Sequence, residues 1–429
     1  MTEKIWTSRP LSRRAVNGAI PALALAGILP ANAALAAFQG ASTPTASLVA
    51  GESDLDALLR PIIEREMAKL LVPGAVVLLR NQEEEYLRAF GTRTLGQNDP
   101  VTIDDNFRIG SNTKTMTGTV LLQLVQEGLL SLNDPVSKFR QDIPNGENIK
   151  ISQLMDMSSG LHNYTELKSL NQAMDDEPLK VWQPEELLAL GIAEPPYFAP
   201  GEGFHYSNTN TVLFALIAEQ LTGSSIGDLI AERIFTPLGL TKTVFPAIED
   251  DKLPDPHPNG YMYGTNISTL DTAVLSDADQ KAAREGSLLP NDVTNTNPSW
   301  GWAAGAASST ARDLTTYVEA LVDGGLLDPA MQEKRLASLK PPIGHPATAQ
   351  YGLALAKFGT FIGHDGTLPG FQSFMGHDPD IGMTMIVLTN LDVSTNGLAT
   401  ANEIARPIIA ELYGSPPQIV TPEASPVVK

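Results

Sequence analysis

The chain has 429 residues, is 42% hydrophobic and 18% charged, and carries a formal net charge of −20. That supplies apolar material for one large domain or two intimate ones, while the acidity disfavours nucleic-acid phosphates and anionic lipid surfaces as partners. The absence of cysteine excludes a disulfide framework, a thiolate nucleophile and a thiolate metal site.

Lys4, Arg9, Arg13 and Arg14 precede an alanine-rich apolar run from Ala19 to Ala37, the pattern of a signal peptide over residues 1–36. Ser12-Arg13-Arg14 resembles a twin-arginine signal, with Val16 where that pattern prefers phenylalanine. Either this route or the ordinary secretory one predicts a periplasmic or secreted protein. Residues 37–52, rich in Ala, Ser, Thr and Gly, read as a flexible lead-in. No membrane span is expected in the body of the chain, which lacks any eighteen-residue apolar run.

A helix follows from about Ser53, with Leu55, Leu58, Leu59, Ile62, Ile63 and Met67 at helical spacing. The period then changes. Ala75 to Leu79 and Tyr86 to Phe90 flank a polar turn and predict a β-hairpin. From Asn112 to about Arg233 the pattern is mostly helical: Val120, Leu121, Leu124 and Val125 share a face, Gly128 is a stop, and a second helix spans Thr211 to Leu221. Residues 246–299 lack periodicity and are expected to form a long loop region held by packing. Strands are expected at Tyr351 to Phe358, Thr360 to His364, Phe371 to His377 and Met383 to Thr389, then a helix from Gly397 to Tyr413 and a disordered tail, 415–429. The fold class implied is α+β, an antiparallel sheet built from both ends of the chain, flanked by N- and C-terminal helices and carrying an inserted, mostly helical domain. The expected boundaries are 53–107 plus 300–414 for the sheet domain and 108–299 for the helical one.

Three segments hold the candidate chemistry. Arg108-Ile109-Gly110-Ser111-Asn112-Thr113-Lys114 runs into an apolar helix, so Ser111 stands at its start and Lys114 lies one turn on, on the same face. Unpaired N–H groups at a helix start can hold a developing oxyanion. A serine and a lysine three apart also arise by chance, so their placement carries the argument. Tyr206-Ser207-Asn208 precedes the second helix, where a phenol and an amide can project into a cleft; a tyrosine beside an ammonium ionises more readily and can accept the serine proton. His364-Asp365-Gly366-Thr367 ends a strand, where Gly366 admits a substrate backbone and the Thr367 N–H can complete an oxyanion hole.

In this order the three segments resemble the Ser-x-x-Lys, Tyr-x-Asn and (Lys/His)-x-Gly motifs of the penicillin-binding and serine β-lactamase superfamily, nearest to D-alanyl-D-alanine carboxypeptidases whose third motif opens with histidine and to class C β-lactamases. Asp105 to Gly110, Ser159-Gly160-Leu161, Phe235 to Leu240 and Asn259-Gly260-Tyr261 extend the likeness over residues 53–414. The resemblance implies a cofactor-free, two-step acyl transfer in which Ser111 attacks, Lys114 and Tyr206 move the proton, His364 orients and Asn208 positions the acyl amide. Asp365, Gly366, Thr367 and Trp300 then line the substrate. No histidine spacing suggests a metal, and surface or loop roles are expected for His162, His205, His257, His345 and His377. Asn163 and Tyr164 are assigned no role.

Two positions depart from the carboxypeptidase pattern. Asp365 stands where threonine is usual, and Ala356 where an arginine helps hold the substrate's terminal carboxylate. An anion received by an anion at around 4 Å costs about 1 kcal/mol in water and about 4 kcal/mol at an effective dielectric of 20, so a free terminal carboxylate is disfavoured where Asp365 faces the cleft. The alternatives are that Asp365 pairs with a nearby cation or turns away, and that a bulge brings Lys357, which a regular strand points to the opposite face, round to bind the carboxylate. The expectation is an exported serine hydrolase acting on a peptide, amide or ester. A carboxylesterase or D-aminopeptidase of the same fold is the near alternative, and a penicillin-binding sensor with little turnover is the alternative from another class. The oligomeric state is left open.

Overall fold

The computed structural model describes residues 54–343 and 349–413; the expected leader (1–36), lead-in (37–52) and tail (415–429) lie outside the described residues, as does His345. Helix α1, Asp54–Leu70, buries Leu55, Leu59, Ile63 and Met67, the stripe that a helical repeat assigns to one face. The hairpin follows as β1 (Gly74–Arg80) and β2 (Glu85–Gly91). Next come α2 (Asn112–Gln126), α3 (Asn208–Thr222) and α4 (Ala311–Asp323). Five strands and a helix complete the chain: β3 (Ala349–Gly352), β4 (Leu355–Phe358), β5 (Phe361–Leu368), β6 (Phe371–Asp378), β7 (Met383–Thr389) and α5 (Thr400–Tyr413).

The seven strands make one sheet in the order β2-β1-β7-β6-β5-β4-β3, antiparallel throughout. The N-terminal hairpin therefore pairs with the last strand, Ala75 opposite Thr389 and Leu79 opposite Met385. One face packs on α1 and α5 through Val77, Val387, Leu59, Ile63, Ile404 and Ile408. The other packs on α2, α4 and the helical half through Val76, Leu78, Ile386, Val120, Leu121 and Val318. Central strands covered on both faces lose the alternation of a half-exposed sheet, which accounts for the unbroken apolar runs in β1 and β7.

Three expectations are corrected. Tyr351 to Phe358 is a tight hairpin, β3 and β4, and not one strand; the chain reverses at Leu353-Ala354, with Ala354 at φ +50°. The wholly buried Arg335 donates to Leu353 O (3.2 Å) and Ala354 O (3.1 Å) while bonding Thr119 Oγ1 on α2 (2.7 Å), which holds the bend against that helix. Helix α2 is buried all round from Asn112 to Leu122 instead of showing one apolar face. Its threonines tolerate this because Thr115, Thr117 and Thr119 hydroxyls donate to carbonyl oxygens. Residues 246–299 are not purely loop: Tyr261–Met262 pairs with Asn291–Asp292, and short helices span Asn266–Thr269 and Asp277–Arg284. Among the described residues no helix is long and apolar enough to cross a membrane.

Candidate active site

Ser111 is placed by a seam between α2 and the sheet. Gly110, at φ +52°, turns the chain into the helix, and a Cβ there would stand 2.7 Å from the Thr367 nitrogen. A Cβ on Gly366 would meet Ile109 O at 2.1 Å and the Ser111 nitrogen at 2.7 Å. Only glycines allow so close an approach. It brings the Ser111 and Thr367 N–H groups to one place, as an oxyanion site requires. Ser373 on β6 fastens the seam: its hydroxyl donates to Ile109 O (2.9 Å) and accepts from Asn112 Nδ2 (2.7 Å).

Lys114 Nζ donates to Ser111 Oγ at 2.9 Å and to Ala304 O at 2.8 Å, inside a fully buried environment. The Tyr206 ring lies over the ammonium, its centroid 4.7 Å from Nζ, a favourable cation–π arrangement. Tyr206 in turn meets the rings of Tyr351 and His364, each with centroids 6.1 Å away. Alcohol, amine and phenol, drawn from α2 and the loop before α3, thus surround one point. A hydroxyl placed this way can surrender its proton as it attacks a carbonyl carbon.

His364 is wholly buried, and burial together with the neighbouring Lys114 charge lowers its pKa to about 3. Its imidazole is neutral. Nδ1 faces Asp365 O at 2.5 Å and Nε2 faces Tyr351 OH at 3.2 Å; a carbonyl can only accept, so Nδ1 carries the hydrogen and Tyr351 donates to Nε2. His364 contributes orientation and not charge. Asp365, placed among the substrate-lining residues from sequence with a turned-away carboxylate as the alternative, is 2% exposed and accepts from Asn402 Nδ2 on α5 at 2.7 Å. Its carboxylate does not line the cleft. Lys357, half-buried on β4, is likewise absent from the lining.

The cleft has a volume of about 370 Å³ and opens beside Ser111, Tyr206, Asn208, Trp300 and Thr367. The Asn208 N–H donates to Asn163 Oδ1 (3.0 Å) and its Nδ2 to Thr165 Oγ1 (3.0 Å), which fixes the amide at the wall. Asn163, assigned no role from sequence, is therefore part of the site's frame. Tyr164 OH donates to Trp300 O at 2.6 Å, so it too holds the rim.

Two further residues escaped the sequence reading. Glu166 and His205 both line the cleft and meet through Oε1 and Nε2 at 2.8 Å. Tyr197 OH donates to the other carboxylate oxygen at 2.7 Å, and its ring stacks on His205 with centroids 3.6 Å apart. Partial burial raises the Glu166 pKa, but the bonds from His205, Tyr197 and Asn163 outweigh it and hold the carboxyl below its ordinary range. Among the described lining residues the carboxyls are Glu166 and Asp392 and the basic side chain is His205, with no arginine. His377, expected at the surface or in a loop, is instead buried on β6, with Nδ1 2.8 Å from Thr384 Oγ1. A polar pair inside an apolar strand left no trace in the sequence pattern.

Comparisons with known proteins agree with this fold. A D-stereospecific amidohydrolase from Streptomyces sp. is 29% identical, with a TM-score of 0.68 over 83% of this chain and 99% of that one. The D-amino acid amidase from Ochrobactrum anthropi SV3, solved with D-phenylalanine, is 27% identical, with a TM-score of 0.70 over 85% of this chain and all of that one. Penicillin-binding protein 4* of Bacillus subtilis is 25% identical over 330 residues, 75% of this chain and 69% of its own. The chain covers as little as 62% of other curated relatives, such as the staphylococcal protein flp. The Beta-lactamase family model matches residues 59–408, and with the sheet, the helical half and this cleft in view, the chain belongs to that family of serine hydrolases.

Proposed function

We propose that the protein is an exported hydrolase that forms an acyl-enzyme on Ser111 and prefers aminoacyl amides or esters without a free terminal carboxylate, in the manner of a D-aminopeptidase or amidase. Ser111 Oγ attacks the carbonyl carbon and its proton passes to the Lys114–Tyr206 pair. The oxyanion rests between the Ser111 and Thr367 N–H groups. Collapse expels the amine or alcohol, which takes the proton back from the same pair, and water repeats the sequence to free the acid. Asn208 holds the acyl portion, Trp300 flanks it, and neutral His364 keeps Tyr206 and Tyr351 in register from behind.

The observation that carries the substrate preference is the ionised Glu166 in a cleft with no lining arginine. Such a site suits an ammonium group and offers a terminal carboxylate no lining arginine or lysine. The amidohydrolase and amidase among the similar structures support the same class. Export rests on the basic and apolar pattern of residues 1–36. The test is steady-state kinetics on D-phenylalanine amide, 3-phenylpropionamide and a peptide ending in D-Ala-D-Ala beside its amide. Preference for the aminated amide is expected; preference for the free-acid peptide refutes the proposal.

A further inference from the structure

A strap, residues 261–273, and the helix Lys168–Asp176 together line one stretch of the cleft, where Asn171, Asn266 and Thr269 stand among apolar side chains. Leu170, Met174, Met262, Tyr263 and Ala273 face the cavity, and the first four are buried. The strap is tied at its start and in its middle. Tyr261 N is shared between Gly370 O (3.2 Å) and Asn390 O (3.0 Å), next to the turn that follows Thr367. Farther along, the Asp175 carboxylate accepts from Asn266 N (2.9 Å), Asn266 Nδ2 (2.7 Å) and Ile267 N (3.0 Å). Partial burial raises the Asp175 pKa, yet these bonds prevail and lower it, keeping the group ionised and bonding.

We infer that the strap forms an acyl-side subsite for a bulky apolar group and that Asp175 is the latch holding it shut. Leu368 and Pro369, which line the cleft, follow Thr367 at the end of β5, whereas Tyr206, the group that returns a proton to the leaving atom, meets the rings of Tyr351 and of His364, which precedes Thr367 on that strand. The acyl part therefore lies along the strap. Side chains already out of water at this wall reward a large apolar substituent, since burial of apolar area is the gain and the pocket exists beforehand. The inference deepens the proposed function and rests on it for the amine, but the apolar preference is measurable without an amine.

The experiment uses the full enzyme with p-nitrophenyl acetate and p-nitrophenyl 3-phenylpropionate, run for the parent, Ala273→Trp and Asp175→Ala. The parent is expected to favour the phenylpropionyl ester at least tenfold in kcat/KM. Both variants should shrink that ratio at least fivefold, Asp175→Ala by raising KM for the bulky ester more than it lowers kcat. A parent with no size preference, or variants that keep the ratio, overturns the subsite. D-phenylalanine amide against 3-phenylpropionamide, run alongside, reports separately on the amine: failure there with the ester ratio intact removes the aminoacyl reading and leaves the subsite standing.

Discussion

Glu166→Gln separates charge recognition from the rest of the site. An ammonium seated about 4 Å from the carboxylate interacts with it by about 1 kcal/mol in water and about 4 kcal/mol at an effective dielectric of 20. The Glu166 side chain is 43% exposed, so screening places the effect in the lower part of that range, about 1 to 2 kcal/mol, or roughly five- to thirtyfold in kcat/KM. Glutamine is isosteric and can keep the contact with Tyr197, so the frame of the cleft is retained. The assay is ammonia release from D-phenylalanine amide and 3-phenylpropionamide at low and high salt. The ratio between the two should collapse in the variant, and high salt should narrow it in the parent. Because the Glu166 carboxyl is held low, the amine preference should persist as pH falls through the ordinary carboxylate range and fade only as pH drops through the lowered value. A ratio unchanged in Glu166→Gln, or equal losses on both substrates, refutes the reasoning.

Further outcomes are expected. Ser111→Ala should abolish p-nitrophenyl ester turnover and labelling by a fluorescent penicillin with an unchanged circular dichroism spectrum; residual activity within tenfold of the parent would remove Ser111 from the mechanism. Gly366→Ala would thrust a methyl 2.1 Å from Ile109 O, opening the oxyanion seam, and should lower kcat by about a hundredfold or more; wild-type kcat would contradict the seam. Arg335→Met leaves the carbonyls of Leu353 and Ala354 without their donor and should cost about 2 to 3 kcal/mol in denaturant unfolding, with no loss counting against the buried latch on the β3–β4 bend. Burial raises the Asp392 pKa to about 7 despite N–H bonds from Val393 and Gly370. The fold then prefers the protonated acid, and the stability this gives below the ordinary carboxylate pKa is lost as pH rises through about 7. Asp392→Asn should therefore show a smaller fall in Tm between pH 5 and pH 8 than the parent, and an equal fall would exclude Asp392 as the source.

What the sequence made legible follows the range of the physics involved. Ser111 and Lys114 are one helical turn apart, so local geometry alone sets their contact. The hairpin β1–β2 and helices α1 and α3 declare themselves through period and turn residues. Asp365 could not be oriented without Asn402, which arrives on α5 and draws the carboxylate behind the sheet. Glu166 ends a single 3₁₀ turn, Tyr164–Glu166, and His205 sits in the loop before α3, 39 residues apart, with no spacing to join them. The break at Ala354 was hidden because neither Leu353 nor Ala354 is a turn former. Arg335, from another helix, imposes the bend by hydrogen bonding to both carbonyls.

The partnership of β1 with β7 sets an order on biogenesis. β1 is flanked by β2, available early, and by β7, whose residues 383–389 are made long after it. Until then β1 and β6 each present an unpaired edge in the middle of the sheet. Pairings so distant in sequence make assembly slow and late. A chain stopped before β7 is thus not a smaller enzyme but an incomplete sheet with adhesive borders, and chaperone capture of nascent material should persist until β7 emerges.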